Sequence, residues 1–222
     1  MNGFLKVNKA KGESSFDVVR KVRKAAKIKK VGHAGTLDPM ATGLLILGIG
    51  SYTKKLGEFL GSMKSYEAEL NFGVTSNTYD MEGELTAFPD AKPLSMEEIE
   101  KVIPQFRGEI MQVPPIFSAK KIKGKKAYQL ARKGETIELE AQAKFIECLE
   151  LRAFDIKTQC LTFYVKCSSG TYIRSLAHDL GRQLVVGATL SELKRVQIKD
   201  VSLEGAIDSD QISFETIESN LF

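Results

Sequence analysis

The clearest periodic pattern in the chain is the alternation of apolar and polar positions over residues 65–72, which predicts a half-buried strand. Its inward positions are Tyr66, Ala68, Leu70 and Phe72. Alternating or short continuous apolar runs predict strands at five further places, residues 4–8, 44–47, 136–139, 144–153 and 159–168. We expect the ring of Tyr66 to face either the core or the floor of a cleft, because it shares the inward side of its strand.

Helices are predicted where apolar residues recur with a period of about 3.6 residues. The first follows Ser14 or Ser15, either of which can cap it, and a second follows the capping box formed by Ser95 and Glu98. A third is predicted over residues 171–184, with Arg174 in its first turn. A cation there opposes the helix dipole, so Arg174 is either simply exposed or in need of a nearby carboxylate or phosphate.

The order of these elements predicts the α+β class, because strands and helices do not alternate regularly. A short helix is also predicted over residues 52–60, and two short strands with a terminal helix over 188–222. No internal repeat or convincing linker divides the chain. We therefore expect one domain spanning residues 1–222, with a mixed, largely antiparallel sheet and flanking helices.

Residues 32–43 form a loop crowded with glycine and proline immediately before the apolar run at 44–47. Pro39 restricts the backbone on both sides of its peptide bond with Asp38. A loop restricted in this way can aim one carboxylate at a substrate. The alternative is an Asp-Pro turn without chemistry, since aspartate favours turns by bonding to nearby backbone.

Basic residues are concentrated although the net charge is only +4. Residues 20–30 contain seven basic side chains and no acid, and residues 120–126 contain five lysines. The clusters predict contact with a polyanion on one face, whereas a solvated helix face is the alternative for the first. The candidate contact residues are Arg23, Lys24, Lys27, Lys120, Lys121, Lys123, Lys125 and Lys126. Residues 118–134, called the basic arm below, are expected to form a mobile loop with a short helix over 127–132.

The remaining composition favours a cytoplasmic protein without a metal. The three cysteines are odd in number, lack Cys-x-x-Cys spacing and accompany only two histidines. We expect reduced, structural thiols. No apolar run is long enough to span a membrane, and the N-terminus lacks a signal-peptide pattern.

Four stretches resemble, in the right order, motifs of the TruB family, the bacterial tRNA pseudouridine-55 synthases. Residues 32–45 resemble its catalytic motif, and residues 8–15 its N-terminal motif. Residues 106–128 resemble its thumb region, and residues 167–176 its third motif. The resemblance implies the pseudouridine synthase fold, with a thumb insertion at about residues 107–134, and isomerisation of a tRNA uridine without a cofactor.

The resemblance also implies a role for each matching residue. Asp38 matches the catalytic aspartate, and Arg174 the arginine that pairs with it. Tyr66 matches the tyrosine that stacks on the base and assists removal of the C5 proton. The other matches are Tyr172 and Leu193, which line the base pocket, His33, which fills the space left by the flipped uridine, and Lys9, in a supporting role.

The chain departs from the family pattern in two places. Ala10 stands where proline is usual, which loosens a turn. The chain ends at Phe222, whereas many members continue into a C-terminal RNA-binding module of the PUA type, so we expect a short form without it. The thumb match favours stand-alone action on the T arm of tRNA, without guide RNA or accessory proteins. We also expect a monomer.

Two other functions remain open from the residues. A tRNA-binding or tRNA-folding protein on the same scaffold would have no need of Asp38. A glycosidase normally pairs two acids around the scissile bond, and the sequence offers no convincing second acid near Asp38.

Overall fold

The computed structural model describes residues 1–88, 91–118, 121–122, 125–126 and 139–222. Contacts divide the chain into two compact units, which we call unit 1 (Met1–Glu67 with Glu192–Phe222) and unit 2 (Ala68–Ser191). In chain order the elements are β1 (Gly3–Lys9), α1 (Ser15–Ala26), β2 (Val31–His33), β3 (Thr42–Ile49), α2 (Gly57–Leu60), β4 (Lys64–Phe72), β5 (Val74–Ser76), β6 (Leu85–Ala87), α3 (Met96–Val102), β7 (Gly108–Gln112), β8 (Lys121–Ile122), β9 (Lys125–Lys126), β10 (Gln142–Asp155), β11 (Cys160–Cys167), α4 (Ile173–Gln183), β12 (Ala188–Ile198), β13 (Val201–Ser202), β14 (Ile207–Asp208) and α5 (Phe214–Ser219). Short 3₁₀ turns cover Gly50–Lys55 and Ile103–Phe106.

Unit 1 is built around β3, which is almost wholly buried and therefore reads as a continuous apolar run. Strand β1 pairs with it antiparallel over its whole length, from Gly3 opposite Ile49 to Lys9 opposite Gly43. Strand β2 is also antiparallel to β3, whereas β12 pairs with it in parallel and places Arg195 beside Gly43. This register brings Lys9 and Arg195 to the end of β3 at which the 32–43 loop enters.

Helix α1 packs against the core of unit 1. Ser14 caps it in a capping box with Asp17, and the helix ends at Lys27 in the left-handed conformation. The Ser14 side chain and backbone, followed by Arg20, lower the pKa of Asp17 to about 2. The buried stripe that packs against β1 and β3 contains Val18, Val19, Val22 and Ala26. The predicted first helix is confirmed, with Ser14 as its cap.

Unit 2 is an antiparallel arrangement in which β10 lies between β11 and β7. Strands β5 and β6 form a separate small hairpin. The capping box of Ser95 and Glu98 begins α3 as predicted. Helix α4 buries Leu176, Ala177 and Leu180, and its second residue is Arg174.

The mixed, largely antiparallel sheet of the α+β class is confirmed. Strands β4 and β12 each run from one unit into the other. The expectation of a single domain over residues 1–222, with a thumb at 107–134, stays a prediction. The described residues contain no helix that is long and apolar enough to cross a membrane.

Several local predictions were wrong. Two short strands (β13 and β14) and a terminal helix (α5) are present in 188–222 as predicted, but the eleven-residue β12 before them was missed, because the buried charge of Arg195 at an inward position hides the alternation. Residues 52–60 form a 3₁₀ turn followed by one turn of helix, not a single helix. Strands β5, β6 and β7 were not predicted, since they lie in polar or proline-rich sequence.

The basic arm is described only at β8 and β9, which pair antiparallel as Lys121 opposite Lys126 and Ile122 opposite Lys125. The helix predicted over 127–132 lies outside the described residues, as do residues 136–138 of the strand predicted over 136–139.

Candidate active site

The loop that carries Asp38 is fixed to unit 1 on both sides of the aspartate. The Ser15 hydroxyl donates to the Leu37 carbonyl (3.1 Å) and accepts the Leu37 amide (2.8 Å). The Gly12 amide donates to the Pro39 carbonyl at 2.8 Å. Asp38 itself is partly exposed between these anchors. The arrangement can therefore present a carboxylate to a ligand from a backbone that is held in place.

Lys9 contacts the backbone of the same loop. Its side chain is fully buried, and its ammonium donates to the carbonyls of Ala10 (2.9 Å), Glu13 (2.6 Å) and Pro39 (3.3 Å). A buried ammonium with several carbonyl acceptors keeps its charge partly compensated and ties distant backbone together. The supporting role of Lys9 in catalysis stays a prediction.

Arg195 is a buried residue of unit 1 that the sequence analysis missed. Its guanidinium donates to the carbonyls of Leu44 (Nε, 2.8 Å) and Gly35 (3.1 Å). Burial lowers the pKa of Arg195, whereas Tyr66 raises it through charge and hydrogen bonding. The sequence contained one signal for this burial. Arg195 lies two residues after Leu193, and side chains two residues apart lie on the same face of a strand.

Two further residues of unit 1 that are predicted to contact the base are buried, and their roles stay predictions. Tyr66 is 8% exposed and Leu193 is 7% exposed. His33 is the last residue of β2, and its pKa is lowered first by burial and then by the charge of Arg195, against a backbone hydrogen bond to Gly35 that raises it. The His33 ring is therefore neutral at pH 7.

In unit 2, Arg174 is buried rather than exposed. Its side chain is 5% exposed and lies 3.3 Å from a carboxylate oxygen of Asp80. The same guanidinium donates to the carbonyls of Thr78 (2.9 Å) and Phe117 (3.0 Å). The expected carboxylate partner is thus present in Asp80, and the pairing of Arg174 with Asp38 stays a prediction.

Asp80 is the second functional candidate that the sequence analysis missed. The Thr78 hydroxyl donates to it at 2.6 Å, as does the Glu82 amide at 3.1 Å. It is 3% exposed although it lies in a polar, turn-rich segment. Nothing in that segment distinguishes a buried aspartate from a solvated one.

Tyr172 is fixed through its backbone. Its amide donates to Oε1 of Gln112 at 2.8 Å, and its carbonyl accepts from Nε2 of the same side chain at 3.0 Å. Gln112 is 1% exposed. This paired hydrogen bond holds the residue immediately before α4, and with it the start of the helix that carries Arg174.

The basic helix face is only partly free for a ligand. Arg23 donates to the Val31 carbonyl at 2.8 Å and lies over the Phe16 ring, whereas Lys24 and Lys27 are exposed. Lys120 and Lys123 lie outside the described residues, and Lys121, Lys125 and Lys126 belong to the β8–β9 pair. All eight RNA contacts remain predictions.

The cysteines are thiols without a disulfide. Burial, followed by Glu69, raises the pKa of Cys160 to about 11, so this thiol is protonated at neutral pH. No group of three or more histidine, cysteine, aspartate or glutamate side chains in the described parts of the chain has the arrangement of a metal site.

Solved structures define the class of the fold. A chain of a Cbf5–Nop10–Gar1 complex aligns with a TM-score of 0.70 and 27% identity, over 93% of this chain and 52% of that chain. A chain of an archaeal box H/ACA sRNP Nop10–Cbf5 complex aligns with a TM-score of 0.71 and 23% identity, over 99% and 58%. The chain therefore spans little more than half of these structures. The predicted α+β pseudouridine synthase fold is confirmed.

Sequence comparison then specifies the family. Residues 23–173 match the family described as TruB family pseudouridylate synthase (N terminal domain). The tRNA pseudouridine synthase B of Clostridium tetani is 44% identical over 98% of this chain and 75% of that protein. The protein of the same name from Aquifex aeolicus is 41% identical over 95% and 73%. The chain belongs to the TruB family of pseudouridylate synthases.

Proposed function

We propose that the protein isomerises a uridine of tRNA to pseudouridine, at position 55 in the T loop. The observation that carries the proposal is Asp38, held partly exposed on a loop whose neighbouring residues are anchored by Ser15 and Gly12. Membership of the TruB family supports the reaction class. The names of the relatives supply tRNA as the substrate.

The reaction exchanges the N1–C1′ bond of the uridine for a C5–C1′ bond, and the C5–H bond for an N1–H bond, so atoms and electrons balance within the substrate and no cofactor is needed. In the proposal, Asp38 assists the cleavage, by attack at C6 or at C1′. The Arg174 guanidinium favours the ionised form of that carboxylate. Tyr66 stacks on the base and removes the proton from C5.

A stacked uridine must leave the helix before its glycosidic bond can be reached. Tyr172 and Leu193 line the pocket that receives the base. The neutral, half-buried ring of His33 enters the space that the base leaves. A neutral aromatic ring suits this role because it can stack between bases without a charge to desolvate.

RNA binding is assigned to the exposed Lys24 and Lys27 and to the lysines of the basic arm, which contact phosphates of the folded T arm. We propose that the protein does this as a cytoplasmic monomer without guide RNA or accessory proteins. The test of that part is turnover by the purified protein alone on an unmodified tRNA transcript.

Mapping pseudouridine in the same transcript tests the function directly. We expect conversion of a single T-loop uridine, which is lost when that uridine is replaced by cytidine. Modification at another site would contradict the position, and release of free uracil would favour a hydrolase instead.

The role of the basic arm is tested by replacing Lys120, Lys121, Lys123, Lys125 and Lys126 with glutamine. We expect at least about tenfold weaker tRNA binding and a shallower dependence of affinity on salt, because each lost phosphate contact removes about 0.7–0.9 from the slope. Replacing three exposed lysines elsewhere, Lys101, Lys157 and Lys199, is the control. An unchanged slope in the arm variant would exclude it from the interface.

A further inference from the structure

The side chain of Phe16, the second residue of α1, combines exposure with close contacts to two cations. It is 54% exposed, whereas Val18 and Val19 of the same helix are buried. A single exposed apolar side chain needs no explanation. The Phe16 ring, however, has the guanidinium carbons of Arg20 and Arg23 over it, at 5.9 and 5.5 Å from the ring centroid. Both distances are within the range of cation–π attraction.

These three residues share one face of α1, which we call the stacking face. Phe16, Arg20 and Arg23 are spaced by four and three residues, and such positions are neighbours on a helix surface. The two arginines belong to residues 20–30, which hold seven basic side chains and no acid. Aromatic rings beside cations bind unpaired nucleotides, because the base stacks on the ring while the phosphates pair with the cations.

The two guanidinium groups have donors for a phosphate. Each guanidinium carries five N–H donors. Among the described residues, Arg20 donates to the Asp17 carboxylate and Arg23 to the Val31 carbonyl (2.8 Å), one acceptor each. The start of α1 is capped by Ser14 and Asp17, so the helix N-terminus is not the anion site. The phosphate donors of the stacking face are therefore the arginine side chains.

The stacking face begins beside the loop that carries Asp38. Phe16 directly follows Ser15, whose hydroxyl forms hydrogen bonds with the amide and the carbonyl of Leu37. Leu37 is the residue before Asp38. An RNA whose target nucleotide reaches Asp38 therefore passes close to this end of α1.

We propose that the stacking face binds an unpaired nucleotide of the tRNA that carries the target uridine. The base stacks on the Phe16 ring, and the adjoining phosphates pair with Arg20 and Arg23. The inference deepens the proposed function and rests on it for the identity of the RNA. Every base has a π-face, so the stacking face contributes affinity and orientation and does not select a sequence.

Tryptophan fluorescence tests the inference directly, because the chain has no tryptophan. Phe16→Trp places the only indole of the protein on the stacking face. We expect an unmodified T-arm hairpin of tRNA to quench its emission. A fully paired RNA duplex of the same length should quench it much less, because its bases are already stacked on one another.

The matched control is Phe214→Trp. Phe214 is also exposed (45%) and also lies in the first turn of a helix of unit 1, but an acid, Glu215, follows it. Emission from this variant should not change when the hairpin is added. Binding is followed in parallel by the anisotropy of a dye on the RNA.

Affinity supplies the second readout. Phe16→Leu keeps an apolar side chain but removes the aromatic face, and we expect it to bind the hairpin about 5- to 30-fold more weakly. Phe16→Trp and Phe214→Leu should bind as tightly as the wild type. If the cation–π contacts only stabilise α1, Phe16→Leu will melt at a lower temperature with unchanged affinity for the hairpin, and the inference is wrong.

Unquenched emission from Phe16→Trp with the hairpin bound would also overturn the inference. Failure of the proposed function would look different. Quenching and weakened binding as expected, without any pseudouridine formation, would refute the reaction and support the stacking face. Pseudouridine formation at the wild-type rate by Phe16→Trp, without quenching, would refute the stacking face alone.

Discussion

The two buried arginines of the described residues are stabilised in different ways. Arg174 in unit 2 lies beside the Asp80 carboxylate and donates to two backbone carbonyls. Arg195 in unit 1 also donates to two carbonyls, and the side chain that raises its pKa is the phenol of Tyr66, not a carboxylate. A carboxylate offers a buried cation a full opposite charge, whereas a neutral phenol offers only a dipole. Arg174 therefore has an anionic partner within unit 2, whereas burial lowers the pKa of Arg195.

The largest effect on stability is expected from removing the carboxylate in unit 2. Asp80→Asn retains an acceptor for Thr78 but leaves the charge of Arg174 without this partner. We expect the free energy of unfolding, measured in urea, to fall by about 3–5 kcal/mol. The double variant Asp80→Asn/Arg174→Met should recover part of this loss. A loss below about 1 kcal/mol in the single variant would mean that the pair behaves like an exposed one.

The next effect tests how tightly the Arg195 backbone is held against β3. Gly43 has φ +97°, and a Cβ there would lie 2.3 Å from the Arg195 carbonyl oxygen. Gly12 also has positive φ (+86°) but open space around it. We expect Gly12→Ala to cost about 1–2 kcal/mol, for the backbone conformation alone. Gly43→Ala should cost about 1–3 kcal/mol more, because β3 and β12 must separate. Equal costs would show that this close approach is not required.

The smallest effect is the one that His33 and His178 have on the pH dependence of stability. The pKa values of His33 and His178 are both lowered, mainly by burial and then by Arg195 and Arg182 respectively. The unfolded chain therefore binds protons more readily below about pH 6.5, and stability should decline as the pH falls from there. His33→Gln with His178→Gln should flatten this decline in thermal melts between pH 7 and 5. If the double variant lost stability as steeply as the wild type, the loss would come from carboxylates and not from the histidines.

The parts of the fold that follow a hydrophobic period could be predicted from the sequence. Strand β4, helix α1 and the capping box of α3 were all predicted, because local side-chain periodicity and capping chemistry determine them. The Asp38 loop could also be recognised, since its glycines and proline restrict the backbone locally.

The charged groups inside the protein could not be predicted. Arg195 and Asp80 are buried only because distant backbone and side chains satisfy them, namely Leu44 and Gly35 for one and Thr78 for the other. Predictions from sequence patterns place charged residues at the surface, because most charged residues are exposed. The same assumption is the reason that β12 was not predicted.

The measurement that tests the account most directly is single-turnover pseudouridine formation by Asp38→Asn, with tRNA binding measured in parallel. Asparagine keeps the size of the side chain and removes only the carboxylate charge. We predict that pseudouridine formation is abolished while the dissociation constant for tRNA stays within a few-fold of the wild type. Turnover close to the wild-type rate would contradict the assignment of catalysis to Asp38, and with it the proposed mechanism.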